Sequence, residues 1–243
     1  MNDLSETKPS SSGVGLADDQ SAFLKLLQLA DSSFPIGALA HSFGVETLVS
    51  SGSITVTEVP GFLQAYLEET GTMQACFCRA GFHAASEFSS ERWVQINEHL
   101  SALKPARESR SGEAVLGLRL MVSVMALGDF PLLRASLDAA KRVGVHVHHG
   151  PAFGLVSAVL AFDEEQVVLA YLHQMLANLV SAFQRLLPIG QSLATRLLWE
   201  MKPTIIGAAH DSRISDEYAG CFMPLLDWGA MEHADLPTRL FIS

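Results

Sequence analysis

Charge is scarce in this 243-residue chain. Asp, Glu, Lys and Arg make up 17% of it, against roughly a quarter in an ordinary soluble domain. Basic residues are the scarcer sign, 16 Lys and Arg against 26 Asp and Glu, which leaves a formal net charge of −10. Nucleic acid is thereby excluded as an expected ligand, because neutralising phosphates takes a concentrated basic face. Cysteine is nearly absent: Cys76, Cys78 and Cys221 make no disulfide framework and suit a reducing compartment. No apolar run reaches the ~20 residues needed to span a bilayer, and the best candidate, residues 114–127, is interrupted by Arg119. Residues 1–20 have neither a basic n-region nor an apolar h-region and do not read as a secretory signal. The expected location is therefore the cytoplasm, with no membrane partner. Catalytic signatures are missing as well: no G-x-x-x-x-G-K-[ST] phosphate loop, no H-E-x-x-H and no G-x-S-x-G. Neither a cofactor nor an enzymatic activity is expected.

Apolar residues, by contrast, make up 49% of the chain, which implies deep burial or surface reserved for partners. Their spacing is helical almost throughout, and the length suits one core. The expected fold is all-α, a single compact bundle of about eight to ten helices. Residues 1–21, polar and rich in Ser and Gly, read as a disordered tail. Residues 22–203 form the helical domain, and residues 204–243 a C-terminal partner-binding segment of the same domain.

A short helix is predicted over residues 23–29, with Leu26, Leu27 and Leu29 on its buried face. Asp31, Ser32 and Ser33 favour a turn, Pro35 fixes its own φ, and Gly37 frees the backbone. A second helix is predicted over residues 38–50. Thr57 is placed as the next cap, with Pro60 in the first turn. Phe62, Leu63, Tyr66, Leu67, Thr70, Met73 and Phe77 then form a helical stripe on which Cys76 and Cys78 point to different faces. Further helices are predicted over 91–103, 106–127, 131–143 and 152–162. Asp163 and Gln166 give a capping-box start to a central helix reaching residue 187, and helical spacing resumes over 191–201. Beyond Pro203 only short helical pieces are expected. That final segment retains Leu236, Leu240, Phe241 and Ile242, an apolar set that suits docking.

Three histidines, His146, His148 and His149, lie within four residues, and imidazole is a common transition-metal ligand. With His41 they define an alternative reading as a histidine-dependent nickel or zinc carrier, or a metalloenzyme. No Cys, Asp or Glu stands beside them to complete a site, so a polar turn before a helix serves at least as well. His41 alone reads as a packing residue. Glu68-Glu69 and Glu164-Glu165 read as solvated helix faces, and Arg107, Glu108 and Arg110 as a surface cluster. Arg185, on the central helix, needs an acid, a carbonyl or an interface.

Five segments in order resemble the urease accessory proteins of the F type (UreF): residues 32–46 (SSFPIGALAHSFGVE), 106–110 (ARESR), 149–154 (HGPAFG), 185–191 (RLLPIGQ) and 238–243 (TRLFIS). Ala38, His41 and Phe43 depart from the family pattern, as does the His233-Ala234-Asp235 run. The resemblance implies an all-α, non-catalytic accessory protein, a homodimer that joins an accessory GTPase (G type) and a scaffold (D/H type). It implies delivery of nickel into the urease apoprotein, with modulation of GTP hydrolysis. It further implies partner or dimer roles for Pro35, Gly37, His41, Glu46, Arg185, Pro188, Gly190 and Gln191, and scaffold binding by Arg239, Leu240 and Phe241.

Overall fold

A computed structural model describes residues 12–243, with side-chain surroundings from Gln20 onward. Residues 1–11 of the expected 1–21 tail lie outside the described residues. The chain is all-α, and no strand occurs among the described residues. In order the helices are α1 (Ser12–Leu29), α2 (Val45–Ser50), α3 (Val59–Tyr66), α4 (Thr72–His83), α5 (Ser90–Ala102), α6 (Arg107–Met125), α7 (Pro131–Val143), α8 (His149–Val159), α9 (Glu164–Leu186), α10 (Gln191–Glu200), α11 (Lys202–Asp211) and α12 (Pro224–Glu232). A π-helical turn, Leu67–Gly71, fuses α3 to α4, and Met201 keeps helical dihedrals between α10 and α11. Among the described residues, two fusions in twelve helices leave ten rods.

Several boundaries differ from the expected ones. The first helix starts at Ser12 rather than near residue 23; once a packed segment nucleates a helix, propagation costs little. Within it Leu26 and Leu29 are buried, whereas Leu27 is exposed. The helix expected over 38–50 is split into a 3-10 turn at Ala38–Ala40, an extended His41 and then α2. Gly44 causes the split: its φ is +99°, and a Cβ there would stand 2.6 Å from the backbone nitrogen of Ala230 on α12. The cap of α3 is Glu58, not Thr57. Pro203 lies in the first turn of α11, where its missing N–H leaves nothing unpaired, so this helix is longer than the short pieces expected. The Asp163 cap is present, its side chain accepting from the Gln166 N–H at 3.0 Å.

The core is built on backbone contact. A Cβ on Gly154 of α8 would overlap the Cys78 carbonyl of α4, and one on Gly81 would overlap Pro151 in return. With both positions bare, α4 and α8 touch main chain to main chain. Helix α9 lies against them through Val167 and Tyr171, while its Val168, Leu172, Leu176 and Phe183 enter a second cluster with α2, α3, α10 and α11; all six are fully buried. Among the described residues only α9 is long and apolar enough to cross a membrane, and 56% of its most apolar window is buried within the fold. Cys76 and Cys78 are both buried, in different apolar clusters. The Glu164-Glu165 pair is not a free solvated face. Arg79, buried on α4, donates to Glu164 at 2.7 Å and to Glu165 at 3.0 Å, and with Arg213 it holds the Glu165 carboxyl down to about 2.

Gly154→Ala is expected to destabilise the protein by about 3 kcal/mol, the upper end of ordinary overpacking. Gly207→Ala, on an exposed position of α11 where a Cβ meets nothing, should stabilise it by roughly 0.5–1 kcal/mol. Urea unfolding of the two variants checks both signs.

Candidate partner-binding site

Helix α2 turns Glu46 inward, where its residue is 4% exposed. A carboxylate in such a place must be paired or hydrogen-bonded. Its partners come from the far end of the chain. One oxygen accepts the Leu240 N–H at 2.6 Å; the other accepts the Phe241 N–H at 3.1 Å and lies 2.9 Å from His233 Nε2. Burial alone would raise the Glu46 pKa, but the Leu240 N–H, His233 and the Phe241 N–H outweigh it and hold it below its ordinary value. In the same stroke an irregular segment finds acceptors for its backbone donors.

The remaining contacts fasten the last residues along the corner before α2. Ala40 O accepts the Ile242 N–H at 2.8 Å, and Ser243 O accepts the N–H groups of Ser42 and Phe43 at 2.5 and 3.0 Å. His41 Nδ1 lies 2.7 Å from the Ser243 hydroxyl, and its ring stacks on Phe43. Burial lowers the His41 pKa, with Glu113 opposing and Arg119 adding to the shift. Arg185, on the last turn of α9, bonds Leu39 O and places its guanidinium 4.2 Å from the centre of the Phe241 ring, a cation–π contact. Glu108 of α6 closes the ring of charges, 2.6 Å from His233 Nδ1 and 3.1 Å from Arg239.

Six of the residues singled out in the sequence therefore meet: His41, Glu46, Arg185, Arg239, Leu240 and Phe241. The others lie apart. Pro35 is exposed and borders a shallow groove with Leu27 and Leu127. Gly37, at φ +83°, faces Arg119. Pro188 and Gly190, in the link between α9 and α10, and Gln191, the first residue of α10, are exposed. Four residues of the site were missed: Ser42, Glu108, His233 and Ser243. Glu108 sits in a run of alternating charge whose local pattern is that of a surface, and its partners lie 125 and 131 positions away. The histidine triplet diverges: His146 is exposed, while His148 and His149 are buried. No group of three His, Cys, Asp or Glu among the described residues has metal-holding geometry. Burial drives the His148 pKa down to about 4.

The docked tail buries Phe241 but leaves Leu240 56% and Ile242 67% exposed. Beside Ile242 runs an open groove of about 510 Å³ bordered by Val115, Met231 and Ala234 and, on its polar side, by Arg107 and Glu108.

Residues 55–202 match the family model described as UreF, which is more than half of the chain. The chain belongs to the UreF family. Similar curated UreF proteins, each described as a urease accessory protein, include one from Nostoc sp., 33% identical over 227 residues that span 91% of this chain and 96% of that protein. Another, from Bacillus sp., is 30% identical with 90% and 98% covered. A third, from Corynebacterium glutamicum, is 30% identical with 93% and 100% covered. The segment matched by the UreF model begins after Glu46 and ends before His233. It therefore includes Glu108 and Arg185, while the corner and the tail they hold lie outside it.

Glu46→Gln keeps the shape and removes the charge. It should cost about 2 kcal/mol, the scale of hydrogen bonds to a charged group, measured by urea unfolding. Because the folded Glu46 pKa lies below its ordinary 4.5, its contribution is fully present above that pH and fades as pH falls through the depressed value. The Glu46→Gln variant should lack this acid-side loss.

Proposed function

We propose that this UreF protein is a cytoplasmic accessory factor for inserting nickel into urease and that it acts by protein–protein contact rather than catalysis. Its partners on this reading are the accessory scaffold (D/H type), the accessory GTPase (G type), whose GTP hydrolysis it modulates, and through them the urease apoprotein. Like the family it resembles, it works as a homodimer. The observation that carries the reading is the docked tail. Glu46, Arg185 and Glu108 hold the segment in place, Leu240 and Ile242 are exposed, and Ile242 borders an open groove. A segment whose ordering entropy is already spent in the free protein binds at lower cost. We assign this face to the scaffold.

Leu240→Asp combined with Ile242→Asp alters only exposed side chains. This double variant should retain wild-type helix content and thermal stability, yet fail to co-purify with the scaffold protein and fail to support urease activation. Removing residues 237–243 should give the same loss of capture. Full capture by both variants would refute the assignment.

A further inference from the structure

We propose that His233 is held as an imidazolium and acts as a latch that makes docking of residues 239–243 proton-linked; the consequence for binding rests on the reading of that segment as the scaffold face. The imidazole has no exposed side-chain surface. Its two nitrogens face two different carboxylates, Nε2 at 2.9 Å from Glu46 and Nδ1 at 2.6 Å from Glu108. A neutral imidazole has one N–H, so its other nitrogen would turn a lone pair toward a carboxylate oxygen. Protonating a carboxylate instead would relieve that clash, but the other contacts oppose it. Glu46 already accepts the N–H groups of Leu240 and Phe241, and Glu108 is paired with the Arg239 guanidinium at 3.1 Å. The two N–H donors favour the ionised form of Glu46. With His233 charged, two cations balance two anions; with it neutral, one negative charge is left uncompensated beside a buried ring.

The other charges nearby do not replace that proton. Arg107 borders the groove on the α6 side. Arg185 of α9 is engaged with Leu39 and Phe241, and His41 of the corner with Ser243. Glu232 and Asp235, flanking His233 in the chain, are exposed and of the wrong sign. Of α2, Glu46 is the charged residue that reaches the ring. The proton on His233 thus supports every contact that Glu46 and Glu108 make to the tail.

Direction follows from the signs. Docking that needs the imidazolium is strongest at low pH and weakens as pH rises and the ring loses its proton; protonation of Glu46 limits it from the acid side. Docking therefore has a maximum between the two, and scaffold capture follows it on the alkaline limb.

The test uses the full chain and ¹⁵N NMR of the histidine ring nitrogens, with His233 assigned by its loss in His233→Gln. At about pH 6, where histidine charge is experimentally accessible, both His233 nitrogens should be protonated. Protection factors of the Leu240 and Phe241 amides, relative to core amides of α9, should fall roughly tenfold or more by about pH 8.5, the scale of a lost charged hydrogen bond. In His233→Gln those factors should no longer change with pH. A singly protonated ring at about pH 6, or wild-type protection that ignores pH, overturns the latch. Scaffold pull-down separates the two readings: capture that persists beside a neutral His233 sinks the latch alone. A titrating latch with no scaffold capture at any pH sinks the partner reading alone.

Discussion

Glu46 is a carboxylate that the fold has taken out of water, and much else follows from keeping it satisfied. A buried anion of this kind is tolerated only when donors converge on it. Here the donors are two backbone N–H groups and one imidazole, all from the last dozen residues of the chain. The demand is mutual, because an irregular segment has no internal ladder for its own N–H groups. Glu46 thus does for the tail what a neighbouring strand would do in a sheet. The contact also joins α2 to the end of α12, whose backbones meet at Gly44 and Ala230.

The rest of the molecule supplies rigidity beneath that contact. Main-chain packing of α4 on α8 and the buried length of α9 give a core with little freedom to shift. Arg185 projects from the end of that central helix, so the guanidinium over Phe241 is anchored in the core rather than in a loop. Glu108 stands near the start of α6, where the helix dipole favours a negative charge. Three rigid elements therefore converge on one irregular segment, and the outcome is a defined surface with Leu240 and Ile242 exposed and Ile242 bordering a groove. The alignments to UreF relatives span about nine-tenths of the chain.

Local patterns made the helical class and most of the helix ends legible. The stripes through Phe62–Phe77 and Val167–Leu187 name their own periodicity, and Asp163 with Gln166 marks a start that depends on three neighbouring residues. Two larger departures from the local pattern have a distant partner as their cause. The split of residues 38–50 comes from the approach of Gly44 to α12, nearly two hundred positions away. Glu164 and Glu165 looked solvated until Arg79 arrived from α4. Half-buried charge is invisible to a local window because its compensation lies elsewhere in the chain.

The site divides in the same way. By itself the sequence determined the bend at Pro35, an apolar tail, a cation on the central helix that needed company, and the UreF resemblance, because each is a property of adjacent residues. Only the tertiary structure decided who keeps company with whom. It set Arg185 over Phe241, made Glu46 the receptor of the tail, and brought in Glu108, His233, Ser42 and Ser243, whose partners no neighbouring residue indicates. Pairing of buried charges is settled by which surfaces come together when the core closes, and that is a property of the folded chain rather than of any stretch within it.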